Sequence, residues 1–145
     1  MRPLLAAATV LNGILAGATA DRFLVGIPAL RKLGPRIWAE YSRRADLAPS
    51  GMAFYPTLAI GGTILTIAAA MRDRRAIPAA ALAAAGLLVT LKAGPHMLAI
   101  RHLHDEAALQ HHLDEFVRWS KLRGALQIGA FLAAVIALSD VAPET

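Results

Sequence analysis

Ionisable side chains stand inside or beside long apolar runs of this sequence. Asp21 and Arg22 end the first run, and Lys92 and His96 lie toward the end of the third. Lys92 and His96 are four residues apart, so they share one face of a helix, and Asp21 is the nearest candidate partner for Lys92 or Arg22. Because a charged group at membrane depth is costly, these residues indicate a functional site. A histidine there could act as a general base, and the cations could stabilise an oxyanion.

Other polar and aromatic residues should lie at the same level. In an up-and-down bundle the first and third helices run in the same direction, so the ends of these helices meet the start of the second and fourth. We therefore predict a polar pocket, with catalytic candidates His96, Lys92, Arg118, Arg123 and Asp21 and substrate contacts Tyr55, Trp119, Arg22 and Trp38. The alternative is a ring of interfacial residues whose charged ends reach the headgroups.

A second candidate site is a histidine-rich segment before the fourth apolar run. His104, His111 and Glu115 are spaced by seven and four residues, so a continuous helix would place them on one face. Two imidazoles and a carboxylate suit copper, iron or zinc. That face is opposite the apolar stripe, so a solvated surface is the simpler interpretation, and no bound cofactor is the preferred expectation.

Four charge-free runs must position these residues. They extend over 3–20, 52–71, 76–91 and 124–139, in a chain that is 57% hydrophobic with a mean hydropathy of +0.51. A membrane-spanning helix needs about 20 apolar residues. We predict an all-α integral membrane four-helix bundle in a single domain, 1–145, with spans at about 3–27, 52–71, 76–100 and 122–140. The first run also resembles a secretory signal that ends at Ala18-Thr19-Ala20, but we interpret it as a retained span.

The connections between the spans differ in length. Arg72-Asp73-Arg74-Arg75 forms a tight turn, and Pro78 suits the first turn of the next helix. The two long loops, 28–51 and 101–121, fall on the same side of the bundle. The first should contain a short helix around Ile37 with Trp38 and Tyr41 as interfacial belt residues.

The second long loop should form an amphipathic helix on the membrane surface that runs into the fourth span. Its apolar positions are Leu109, Leu113, Phe116 and Val117. The preceding Gly94-Pro95-His96 is predicted to break the third helix locally and line a cavity.

Charge and cysteine content restrict the classes of function. The formal charge is +5, but the basic residues flank apolar runs, which favours membrane anchoring over nucleic-acid binding. Eleven of the 15 lysines and arginines lie on the side of the long loops, so we expect those loops in the cytoplasm of a multi-pass cell-membrane protein. The chain has no cysteine, which excludes disulfide and thiolate chemistry.

The sequence resembles the anthrone-oxygenase-like family of small four-helix membrane proteins. The resemblance rests on the glycine-rich first helix leading to Ile27-Pro28-Ala29-Leu30, on Gly94-Pro95-His96, and on the segment 116–123, FVRWSKLR, before a last helix with Phe131. Family members often have asparagine where this chain has His96. The resemblance implies oxidation of an anthrone to an anthraquinone by molecular oxygen.

Two other classes of function stay open at this stage. The protein could be a non-catalytic membrane subunit or a small-molecule carrier, in which Asp21 and Lys92 would pair rather than react. It could also be a metal-dependent oxidase that uses the histidine-rich loop. The expected partners are the lipid bilayer and a small apolar aromatic substrate, and a homo-oligomer is compatible with the sequence.

Overall fold

Helices make up the architecture that a computed structural model describes for residues 2–140, and no strand is present in that range. The first and last positions of the predicted domain, 1 and 141–145, lie outside the described residues. The elements are α1 (Arg2–Asp21), a π-helical turn (Arg22–Gly26), α2 (Ile27–Leu33), α3 (Pro35–Arg44), α4 (Pro49–Arg72), a 3-10 turn (Arg74–Ala76), α5 (Ile77–Ala99) and α6 (Glu106–Ser139).

Four continuous helical stretches are long and apolar enough to cross a bilayer. They are Pro3–Leu33, Pro49–Arg72, Arg74–Ala99 and Glu106–Ser139, which confirms the predicted number and order of long apolar helices. α5 packs most extensively against α6, and α1 packs against both α4 and α6. The large side chains left exposed on these stretches include Val10, Ile64, Leu88 and Ile136. Such an exterior suits an apolar surrounding better than water.

The sequence indicated that the first helix ends at about residue 27, but the helix continues beyond it. It continues through the π-turn into α2, and the chain reverses only at Gly34, whose φ of +91° lies in the region that favours glycine. Pro28, the first residue of the predicted loop, lies inside the continuous helix. Its ring would press against the carbonyl group of Leu24, which lies inside the wider π-turn, so the helix accommodates the proline without ending.

α3 confirms the predicted short helix of the first loop but not the role of its tryptophan. Trp38 has only 1% of its surface exposed and packs in a core cluster with Ile27 and Ile100, among others. The prediction of an interfacial belt position for Trp38 is therefore wrong, whereas Tyr41 is half exposed. The indole contributes apolar area to a protein core that lies between α2, α3 and the end of the α5–α6 hairpin.

The predicted amphipathic helix of the second loop is the first part of α6. Leu109, Leu113, Phe116 and Val117 are buried, which confirms the predicted apolar face. This face packs in the same core cluster as Trp38, so protein rather than a membrane surface covers it. α3 covers this face because the chain folds back after α2 and places α3 over the end of the α5–α6 hairpin.

Hydrogen bonds fix α3 to the α5–α6 connection. Arg43 donates from Nε to the carbonyl oxygen of Ile100 at 3.1 Å and from Nη2 to that of Leu103. At the same end of α3, Arg44 donates to Glu40 at 2.7 Å, and this hydrogen bond lowers the pKa of the Glu40 carboxyl group. The guanidinium of Arg43 thus satisfies one carbonyl group at the end of α5 and one in the connection that follows it.

The predicted break at Gly94-Pro95-His96 is absent. α5 is continuous from Ile77 to Ala99 with Pro95 inside it. Pro95 removes only one backbone hydrogen bond, close to the end of the helix, where few further hydrogen bonds depend on it. The tight turn and the position of Pro78 in the first turn of α5 are confirmed.

Candidate functional site

A cavity of about 300 Å³ lies between α1, α4, α5 and α6, in the half of the bundle nearest the long connections. This volume is at the small end of the range for ligand sites. Its walls are mainly apolar and include Leu15, Ile60, Leu87, Met97 and Phe116. The cavity therefore fits a small, largely apolar molecule better than a strongly hydrated one.

The polar end of the cavity contains an ion pair between Arg22 and Asp46. Both terminal nitrogens of Arg22 donate to the two carboxylate oxygens of Asp46, each at 2.6 Å, and the side chains are only 19% and 9% exposed. Asp46 lies in the connection between α3 and α4. A Cβ at Gly51 would collide with the carbonyl oxygen of Ala45 and lie 2.8 Å from that of Asp46, so glycine is needed for α4 to begin this close to the carboxylate.

A second arginine faces the same end of the cavity. Arg123 of α6 donates to the Ser120 hydroxyl at 3.3 Å, while the Nε atoms of Arg22 and Arg123 are buried and, among the described residues, have no hydrogen-bond partner. The guanidinium carbons of Arg22 and Arg123 lie 5.5 and 5.8 Å from the ring centre of Phe116. Two guanidinium groups and one carboxylate leave this end with an excess of positive charge and with free donors.

The cavity opens between α4 and α5. Five of its lining side chains are also exposed, namely Met52, Tyr55, Pro56, Ile60 and Leu98. Four of them are apolar, and Tyr55 combines an aromatic ring with a hydroxyl group. The entrance therefore lies on the lateral surface of the helices.

Buried polar side chains continue from the cavity along the bundle interior. Thr19 donates to Gln127 at 3.0 Å at the cavity wall, and Asn12 donates to Thr66 at 2.9 Å further along. A water-sized cavity of about 10 Å³ lies between these two pairs. These hydrogen bonds join α1 to α6 and to α4 and fix the helices that carry the arginines.

Only part of the predicted pocket converges. Arg22, Tyr55 and Arg123 line the cavity, as the alternating helix directions predicted. The other predicted catalytic and substrate residues do not line the cavity. Asp21, Lys92 and Arg118 are exposed, and His96 is half-buried beside His112. Trp38 is buried within the core cluster, and Trp119 is partly buried against it. The partner of Arg22 is Asp46, not Asp21, because Asp21 lies on the outer side of α1.

Several lining residues were missed. Asp46, Phe116, Gln127, Thr19 and Phe23 all line the cavity. Thr19 and Phe23 could have been found, since Thr19 lies three residues before Arg22 and four before Phe23, both spacings of one helix face. Asp46 carries no periodic signal because it lies in a connection.

The predicted metal ligands are not brought together. His104 precedes α6, which begins only at Glu106, so it does not share a helix face with His111 and Glu115. Glu115 instead pairs with Arg118 at 3.5 Å. Within residues 2–140, no group of three or more histidine or acidic side chains converges on one point in a metal-binding arrangement.

Comparison with protein-family models, with curated proteins and with solved structures gives no match for this chain. The resemblance to the anthrone-oxygenase-like family therefore stays a prediction from its motifs.

Proposed function

We propose that this protein is a membrane-embedded oxygenase that oxidises a small aromatic ketone of the anthrone type with molecular oxygen. The observation that carries the proposal is the pair of guanidinium groups at the closed end of an apolar cavity. A flat polycyclic body fits the apolar walls, and the positive charge of the Arg22 and Arg123 guanidinium groups suits an oxygen atom that becomes negatively charged.

The bilayer is the source of the substrate in this proposal. The four long apolar helices and their exposed apolar side chains support insertion in the cell membrane. The cavity entrance between α4 and α5 would then face lipid, so an apolar substrate could enter laterally. We place the long connections in the cytoplasm because only Arg2, Arg72, Arg74 and Arg75 lie at the opposite end.

The arginines would promote loss of a proton from the substrate. An anthrone has a methylene group opposite its carbonyl, and removing one methylene proton gives an anion whose charge is shared with the carbonyl oxygen. Donors aimed at that oxygen stabilise the anion more than the neutral ketone. The methylene then points away from the arginines and from Asp46, which Arg22 holds at 2.6 Å, so a water molecule at the cavity entrance would accept the proton.

The oxidation then balances without another co-reactant. The carbanion gives one electron to oxygen, and the two radicals combine to form a carbon–oxygen bond. The resulting peroxide takes up a proton and loses water as a carbonyl group forms. One anthrone and one O₂ give one anthraquinone and one H₂O. The apolar walls would keep solvent away from the anion.

The decisive experiment replaces Arg123 with glutamine and measures oxygen consumption by detergent-purified protein with anthrone. Removal of one oxyanion donor should lower turnover about 100-fold. Arg118→Gln is the matched control: Arg118 lies on the same helix, is exposed and does not line the cavity, so turnover should not change. Rates are compared with the spontaneous oxidation of anthrone in the same micelles.

Two outcomes would reject the oxygenase. Equal turnover of the Arg123→Gln and unaltered proteins would remove the oxyanion role of the arginine. Tight binding of anthraquinone with no oxygen consumption above the spontaneous rate would indicate a carrier instead. The earlier assignment of His96 as the base is tested in the same assay, because His96 does not line the cavity and His96→Ala should leave turnover unchanged if water accepts the proton.

A further inference from the structure

Three of the five histidines of the chain meet across the α5–α6 hairpin. His96 near the end of α5 lies opposite His112 in the second turn of α6, and their Nδ1 atoms are 3.1 Å apart. The ring centre of His111 is 5.4 Å from that of His112 and 6.5 Å from that of His96. His96 and His112 are half-buried, and His111 is exposed.

From this geometry we infer a binding site for a first-row divalent metal ion, such as Zn²⁺, with His96 and His112 as ligands and His111 as the third. The site is distinct from the cavity, since none of the three histidines lines it. It also differs from the set His104, His111 and Glu115 that helical spacing indicated. The inference does not depend on the proposed oxidation.

The distance between the two Nδ1 atoms fits coordination to one ion. A tetrahedral zinc ion with nitrogen ligands at about 2.05 Å holds neighbouring nitrogens about 3.3 Å apart. The observed 3.1 Å is close to this value. Without a metal, the same contact requires one imidazole to donate and the other to accept, whereas a metal ion is bound by both nitrogens in their unprotonated form.

The third ligand requires only a side-chain movement. His111 directly precedes His112 on α6, and its ring is exposed rather than packed in the core. Rotation of this ring toward the other two gives three nitrogen ligands and leaves a fourth position for water, a common arrangement for zinc. Because the ring of His111 is not turned this way in the structure, no set of three ligands converges within residues 2–140.

Metal binding would join the two helices beside the cavity. His112 is one helical turn before Phe116, and His96 is next to Met97; Phe116 and Met97 both line the cavity. An ion held by ligands from α5 and α6 would therefore fix the wall that carries the ring between the two arginines. This position gives the site a structural effect that can be measured without substrate.

The test measures binding of Zn²⁺ and Co²⁺ to purified protein that carries no polyhistidine tag and has been treated with a chelator. Isothermal titration calorimetry gives the Zn²⁺ affinity, and the visible spectrum of bound Co²⁺ reports tetrahedral nitrogen coordination. The double variant His96→Ala/His112→Ala should bind Zn²⁺ at least about 100-fold more weakly. The matched control, His102→Ala/His104→Ala, also removes two imidazoles and should bind as tightly as the unaltered protein.

Several results would overturn the site. One is absence of stoichiometric binding by folded, unaltered protein. Another is equal loss of affinity in both double variants, which would indicate scattered surface histidines; loss only in His102→Ala/His104→Ala would move the site to the loop. Far-UV circular dichroism establishes that each variant is folded. Anthrone turnover is recorded separately, so failure of metal binding and failure of the oxygenase remain distinguishable.

Discussion

Breaking the ion pair between Arg22 and Asp46 by removing one partner should cost several kcal/mol of the stability of the bundle. Two unit charges about 4 Å apart attract by about 4 kcal/mol at an effective dielectric constant of about 20. The pair is bidentate at 2.6 Å and mostly shielded from solvent. Replacing either partner leaves the other charge buried and unpaired, so Arg22→Met or Asp46→Leu alone should reduce the free energy of unfolding by about 3–5 kcal/mol.

The double variant provides the critical measurement. Arg22→Met/Asp46→Leu removes both charges, so it should lose no more stability than either single variant. Unfolding is followed by circular dichroism as the mole fraction of a denaturing detergent increases. As a control, Arg31→Met disrupts an exposed pair with Asp114 at 3.5 Å and should cost less than about 1 kcal/mol. If the losses of the two single variants simply add in the double variant, the two residues do not stabilise the fold as a pair.

Two further predictions concern packing and the α3 clamp. A Cβ at Gly124 would lie 2.8 Å from Thr19 Cγ2, so Gly124→Ala should lower the melting temperature and cost about 1–3 kcal/mol of stability. The control is Gly17→Ala, which adds a methyl group in open space and should be neutral or stabilising. Equal shifts of the melting temperature in the two variants would contradict close packing of α1 against α6. Arg43→Gln should destabilise by about 1–3 kcal/mol because carbonyl groups of the α5–α6 connection lose a charged donor. The exposed Arg44→Gln should change stability by less than about 0.5 kcal/mol, and hydrogen exchange of the connection should be faster only in the Arg43 variant.

The four long helices follow from hydropathy because each must present an apolar surface over most of its length. Alternating helix direction was enough to bring Arg22, Tyr55 and Arg123 to one end. The basic turn and Pro78 likewise correctly marked the connection between α4 and α5. These features depend on local sequence and on the order of elements, which is why the sequence alone could predict them.

The features that the sequence did not predict depend on how the connections between the helices fold in three dimensions. Asp46 reaches Arg22 because α3 turns the chain back over the hairpin, and no periodic pattern indicates that path. Trp38 is in the core for the same reason, although its type and position favoured an interface. The contact between His96 and His112 depends on the exact residue at which α6 begins, and the sequence placed His104 inside that helix.

The π-turn at Arg22–Gly26 means that the first long helix contains one residue more than a regular α-helix of the same path would need. Each residue of an α-helix accounts for about 100° of rotation. Deleting one residue between 22 and 26 should therefore restore a regular helix with Ile27 still facing Trp38, whereas the unshortened segment in a regular α-helix would turn Ile27 and all of α2 by about that angle. In a relative whose first helix lacks the turn, a correct alignment would contain a one-residue gap here, and the arginine would be displaced by one position.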